Sequence, residues 1–174
     1  TALNRHAGTG PVLARCFSAI TYKQLRFVVF DAPVARTVAH YADELVNRHV
    51  TDVFRVCEPT YDAGVLAKRG ITVHDYPYKD GGLPRTDVIT AFLHLVDARF
   101  GKGAHPDGKP AVAENAIGVH CVAGLGRAPV LVAIALIEAG LKPIDAIDLV
   151  RRCRRGAFNS VQLKFLMDQY RRQG

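Results

Sequence analysis

Val119-His120-Cys121-Val122-Ala123-Gly124-Leu125-Gly126-Arg127-Ala128-Pro129 joins two different hydrophobic patterns. Before it, residues 116–122 form a short run rich in Val and Ile, the pattern of a strand buried in a sheet. After it, residues 127–139 are almost wholly apolar, which predicts a buried helix closed by Gly140. Proline is tolerated in the first turn of a helix and disruptive later, so Pro129 fixes the helix start near Arg127. Strand patterns recur at residues 25–30, 52–57 and 71–76. Apolar spacing of three and four marks helices at Val34, Val38, Ala42, Leu45 and Val46, and at Val88, Phe92, Val96 and Phe100. The second of these follows a cap at Thr86 and stops at Gly101. Two more helices are expected, 144–155 after Pro143 and 161–171 capped by Ser160. The alternation implies one α/β domain: a central, mostly parallel sheet flanked by helices on both faces. Residues 1–20 read as a flexible N-terminal segment, 21–174 as the domain, and 101–110 as a Gly/Pro-rich surface loop.

With 174 residues, 49% of them hydrophobic and 22% charged, the chain can fill one core, which excludes a disordered, collagenous or coiled-coil protein. Its longest apolar stretch, residues 129–137, is too short to cross a bilayer. The first twenty residues contain no signal-peptide hydrophobic region. Cys16, Cys57, Cys121 and Cys153 are widely spaced and lack CxxC pairs or a flanking His set, so neither a metal site nor a cofactor is expected. A reducing, cytoplasmic setting follows as the expectation. The net charge of +7 favours anionic partners. Much of the excess lies at Arg151, Arg152, Arg154, Arg155, Arg171 and Arg172, which reads either as a solvated helix end or as a surface for an anionic membrane. No nucleic-acid-binding signature accompanies it.

The strand–loop–helix junction has its own chemistry. It aims free backbone N–H groups, and the positive end of the helix dipole, at one point. Gly124 and Gly126 permit the tight turn and the close approach of an anion. Cys121 stands at the mouth of this nest, where a thiolate is stabilised. Arg127 offers a planar fork of donors matched to two phosphoryl oxygens. A nucleophilic thiolate, loop amides from Val122, Ala123, Gly124, Leu125 and Gly126, and a bidentate arginine make a constellation for phosphate-monoester hydrolysis. A dinucleotide site is the weaker reading, because the third glycine is missing and the proline enters too early. Such hydrolysis needs a carboxyl on a closing loop to protonate the leaving oxygen. Residues 76–82, Tyr-Pro-Tyr-Lys-Asp-Gly-Gly, suit that purpose. On the residues alone, Asp80 reads equally as a turn aspartate.

Cys-x5-Arg preceded by His resembles the signature loop of protein tyrosine phosphatases. HCVAGLGRAPVLVA (120–133), RVCEPTYD (55–62), YPYKDGGLP (76–84) and RRGAFNSVQL (154–163) resemble the phosphatases of regenerating liver, a branch of the dual-specificity group. The resemblance implies the cysteine-dependent phosphatase fold, Cys121 as nucleophile, Arg127 as phosphate ligand, Asp80 as general acid and His120 as a support of the loop. It implies that Cys57 lies beside the loop as a reversible disulfide partner of Cys121, with a buried strand-end cysteine as the alternative reading. The chain departs from the family's loop at Tyr76 for Trp and at Lys79 for the first of two acids, and Lys79 would attract acidic substrates. Many relatives carry Ser or Thr after the arginine to help expel the cysteine sulfur. Ala128 at that position, as in the regenerating-liver branch, implies a slow second step and an accumulating phosphocysteine. Asp75 is expected to be a structural hydrogen-bonder, and Cys16 and Cys153 ordinary residues.

The partners implied are phosphorylated proteins or phospholipids, an anionic membrane surface, a second copy of the chain, and a membrane magnesium-transport regulator. For that last partner the protein would serve as a catalytically sluggish binding module. Relatives end in a polybasic tail and a prenylation box, which would hold them on the inner face of membranes; here the sequence ends at Gln173-Gly174, with Arg171 and Arg172 where the basic tail would begin. A rhodanese-like enzyme would not need the Asp80 loop. A low-molecular-weight phosphatase would carry its cysteine loop near the N-terminus and its acid late.

Overall fold

A computed structural model describes residues 13–101 and 115–173. Five strands, β1 (Phe17–Tyr22), β2 (Leu25–Phe30), β3 (Val50–Arg55), β4 (Thr72–Asp75) and β5 (Ala116–His120), form one sheet in the order β1-β2-β5-β3-β4. Only the β1–β2 pair is antiparallel; β2–β5, β5–β3 and β3–β4 are parallel. The helices are α1 (Val38–Asn47), α2 (Ala63–Ala67), α3 (Thr86–Phe100), α4 (Arg127–Glu138), α5 (Pro143–Cys153) and α6 (Ser160–Lys164), the last widening into a π turn at Phe165–Gln169.

The twofold alternation of strand side chains sorts the core into two layers. Phe27, Val29, Phe54, Ile117 and Val119 point to one face, where α3, α4 and α5 cover them with Phe92, Leu131, Ile134 and Ile147. Val28, Phe30 and Val53 point to the other, under Val38, Tyr41 and Leu45 of α1 and Leu66 of α2. The helices therefore occupy both faces, as the sequence pattern implies. β5 runs between β2 and β3 with every residue buried, and α4 is buried from Arg127 to Ile137. The junction between these two most apolar elements consequently opens at the carboxyl edge of the sheet, where α/β sites lie.

Several expectations change. β1 starts at Phe17, upstream of the boundary drawn at Thr21, and pairs Phe17 with Phe30 through Tyr22 with Leu25. It is an edge strand that buries only Phe17 and Ile20, too sparse a pattern to read as a strand. Residues 1–12 of the proposed flexible segment, and residues 102–110 of the proposed surface loop, lie outside the described residues. The short helix α2 was not anticipated; the Asp62 carboxylate caps it by accepting from Gly64 N–H. Arg85 rather than Thr86 is the N-cap of α3. Asn159, not Ser160, caps α6: its side chain accepts from Gln162 N–H while the Gln162 side chain accepts from Asn159 N–H.

Candidate active site

Between β5 and α4 each carbonyl of the loop is held by a donor outside its concave side. The Cys121 carbonyl accepts from His120 Nδ1 at 3.0 Å. Val122 O accepts from Ala32 N at 2.8 Å and Leu125 O from Phe158 N at 2.7 Å. Ala123 O accepts from Arg154 Nη2 at 3.0 Å and Gly124 O from Arg154 Nε at 2.9 Å. Gly126 O takes Val130 N in the first turn of α4. A trans peptide sets N–H opposite C=O, and no peptide here is cis, so carbonyls drawn outward leave the N–H groups of the loop for its inner side. Gly124 N–H points at the Cys121 sulfur at 3.2 Å.

Arg127, the first residue of α4, is 5% exposed and sends its Nη1 to the carbonyls of Tyr78 (3.0 Å) and Val56 (3.5 Å). Its Nε is buried with no hydrogen-bond partner. The Asp80 carboxylate stands 3.6 Å from that nitrogen on an exposed turn. A buried guanidinium donor without a hydrogen bond, in the loop of a buried cysteine, is a built ligand position for an anion. The structure thus brings Cys121, the loop, Arg127 and Asp80 together. Ala128 is fully buried behind them.

His120 is fully buried and lies under the loop rather than inside it. A carbonyl can only accept, so Nδ1 carries the proton toward Cys121 O, and Nε2 accepts from Tyr61 Oη at 2.8 Å. Burial pulls its pKa down to about 4, so the ring is neutral. Arg55 braces Tyr61 by donating to its carbonyl at 2.9 Å and lying over its ring, and pairs with Asp75. That pairing gives Asp75 the structural role expected of it. Cys57, 1% exposed, has its sulfur 3.8 Å from His120 Nδ1. Burial pushes its thiol up, and the nearness of Cys121 adds to this while Arg127 opposes it. No disulfide joins any of the four cysteines among the described residues.

The human protein tyrosine phosphatase type IVA 3 is 45% identical to this chain over 152 residues, which cover 87% of the chain and 82% of the relative. The protein tyrosine phosphatase PRL-1 of Leishmania major is 44% identical over 147 residues, covering 84% and 82%. The chain belongs to the PRL, or type IVA, family of protein tyrosine phosphatases. It is a cysteine-dependent phosphatase. The solved structure of a putative protein tyrosine phosphatase from Leishmania major superposes with a TM-score of 0.78 at 38% identity, covering 89% of this chain and 99% of that one. PTPMT1, at 18% identity and a TM-score of 0.66, shares the fold. No protein-family model matches.

Two residues of this PRL-type site escaped the sequence reading. The sequence groups Arg154 with the surface arginines, but it is 9% exposed and holds two loop carbonyls. Gln162 is fully buried against Gly126, where a Cβ would meet its Nε2 at 3.0 Å. The Asn159-x-x-Gln162 pattern was a legible capping signal for the second; nothing local distinguishes Arg154 from Arg155.

Proposed function

We propose that this chain hydrolyses phosphate monoesters on proteins through a phosphocysteine at Cys121. In the first step the Cys121 thiolate attacks phosphorus and the bond to the leaving oxygen breaks. The amides of Val122 to Gly126 and the Arg127 fork hold the three equatorial oxygens, and Asp80 gives its proton to the leaving group. In the second, water loses a proton to Asp80, attacks phosphorus and frees the sulfur with inorganic phosphate. The observation that carries the reading is the buried Arg127 Nε, which makes no hydrogen bond and faces the Asp80 carboxylate at 3.6 Å, beside a loop whose carbonyls are all drawn outward. No step calls for a metal or cofactor. Lys79, exposed beside Asp80, would favour acidic phosphopeptides, while phospholipid phosphate shares the same chemistry.

Ala128 supplies no hydroxyl to the departing sulfur, so the second step is slow and the phosphocysteine accumulates. That feature also favours a second role, a sluggish enzyme that docks as a binding module on a membrane magnesium-transport regulator. With peroxide as oxidant, Cys121 would be oxidised to a sulfenic acid as the peroxide is reduced, and the Cys57 thiol would displace water from it to close a reversible disulfide, a reading supported by the burial of Cys57 beside His120. Among the described residues no helix is long and apolar enough to cross a membrane. The exposed Arg152, Arg155, Arg171 and Arg172 would suit peripheral contact with anionic lipid on the cytoplasmic face, and self-association is a further reading of the family resemblance.

Rapid mixing with an aryl phosphate tests the mechanism. A burst of released phenol, stoichiometric with enzyme and followed by slow turnover, is expected, with neither phase in Cys121→Ser. Turnover retained by Cys121→Ser would refute the proposal.

A further inference from the structure

Asp80 is held between two attachments, and the one before it is unusual. From β4 onward the loop continues the pairing with β3's end, through Tyr76 N–H to Arg55 O at 2.9 Å and Tyr78 N–H to Val56 O at 3.3 Å. After Tyr78 the chain leaves the sheet edge: Lys79, Asp80 and Gly81 are exposed, and Gly82 N–H closes a local turn on Lys79 O. Tyr78 is thus the last residue anchored before the acid. It exchanges bonds with Arg127 in both directions. The Tyr78 hydroxyl donates to the Arg127 main-chain carbonyl at 2.8 Å, and Arg127 Nη1 donates to the Tyr78 carbonyl at 3.0 Å. On the far side, Asn159 Nδ2 donates to Gly81 O at 3.3 Å. The phenol ring is 7% exposed and packs in the same apolar layer as Ala128 and Cys121.

We infer that the Tyr78 hydroxyl clasps the acid loop to the start of α4 and is a positioning residue for protonation of the leaving group. Arg127 is the residue that grips phosphate from the first turn of α4. A bond from Tyr78 to its backbone therefore ties the height of the acid loop to the phosphate position itself. A ring without the hydroxyl would still fill the pocket, but the loop would lose its bond to the main chain of that helix turn and keep only links to the movable Arg127 side chain, at the Tyr78 carbonyl and the Asp80 carboxylate, among those the described residues show. Asp80 would then spend less time within reach of the leaving oxygen, and catalysis depends steeply on such placement. The inference rests on the reading of Asp80 as the general acid.

Tyr78→Phe separates this from a packing role, because a general acid matters only where the leaving group needs a proton. The comparison uses kcat/KM, which ends at the loss of the leaving group and is blind to the slow second step. Against a phosphotyrosine peptide, whose phenol leaves poorly, Tyr78→Phe is expected to lose about fivefold, the worth of one ordinary hydrogen bond. Against 2,4-dinitrophenyl phosphate, whose leaving group needs no proton, it should stay within about twofold of the parent. In an Asp80→Ala background Tyr78→Phe should cost nothing further on the peptide, since the two act as a unit. An equal loss on both substrates, or no loss on the peptide, overturns the clasp. If Asp80→Ala itself slows both substrates alike, the acid reading fails and takes the clasp with it. If Asp80→Ala discriminates between the substrates and Tyr78→Phe does not, the clasp alone fails.

Discussion

Gly124 and Gly81 have nearly the same backbone, with φ of +72° and +70°, but very different surroundings. A Cβ on Gly81 would meet nothing nearer than Asn159 Nδ2 at 3.7 Å. A Cβ on Gly124 would lie 2.6 Å from Arg154 Nη2 and 2.7 Å from the Phe30 carbonyl. Gly81→Ala should therefore cost only the left-handed backbone penalty, about 1–2 kcal/mol. Gly124→Ala adds displacement of a buried guanidinium or a strand carbonyl, for a total of about 3–5 kcal/mol and loss of turnover. Urea unfolding of the two variants checks the difference, and equal losses would contradict the packing described at Gly124. Cys121 and the helix start at Arg127, marked by Pro129, were legible because covalent constraints act there within a few residues. Tyr78 and Arg154 were not, because what gives them their roles is contact with residues far away in the chain; Gln162 was legible as a cap partner of Asn159 but not as a neighbour of Gly126.

At the scale of elements, α5 shows where local pattern stops being enough. Its apolar spacing extends the expected helix to 155, but it ends at Cys153, and Arg154 takes an extended backbone with φ −134° and ψ 91°. That turn carries the Arg154 side chain inward to Gly124 O and Ala123 O on one side, and to Cys16 O at 2.8 Å and Ser18 Oγ at 3.1 Å on the other. One guanidinium thus ties the end of α5 and the edge strand β1 to the Cys121 loop. β2 was legible as a run that buries every residue but Arg26, whereas β1 is made by its neighbours: the sheet supplies the pairing and Arg154 the link. Lysine in that position has no fork and cannot reach both sets of acceptors. Arg154→Lys is expected to lose about 2–3 kcal/mol of stability, as for buried bonds to a charged group, together with a fall in kcat/KM. The exposed neighbour provides the control: Arg155→Lys should stay within about 0.5 kcal/mol of the parent. Indistinguishable unfolding midpoints for the two variants would rule out the brace.

For the whole molecule, the buried polar network beneath the sheet's carboxyl edge links function to acid stability. His120 is fully buried, and Tyr61, Cys57, Arg55, Asp75 and Arg127 surround it, so the folded protein refuses a proton there until the pH falls to about 4. The unfolded chain takes that proton near the ordinary histidine value, about 6.5. Between these two values the unfolded state binds more protons than the native state, so stability must fall as pH decreases, by about 3 kcal/mol across the window. Below it the carboxylates take over. Arg55 holds Asp75 under its usual range. Burial would push Asp52 upward, but hydrogen bonds from Arg99, His74 and Thr51 outweigh it and hold it low as well. Each of these carboxylates contributes stability that is lost as the pH drops through its folded value. Replacing the imidazole with a neutral amide separates the two regimes. Urea unfolding of His120→Gln should show a lower plateau near neutrality but a flatter slope between pH 6.5 and 4, with the steep decline deferred to the carboxylate range. A slope in that window as steep as the parent's would mean that the acid sensitivity arises elsewhere, and that the imidazole under the Cys121 loop is not the group the folded protein keeps unprotonated.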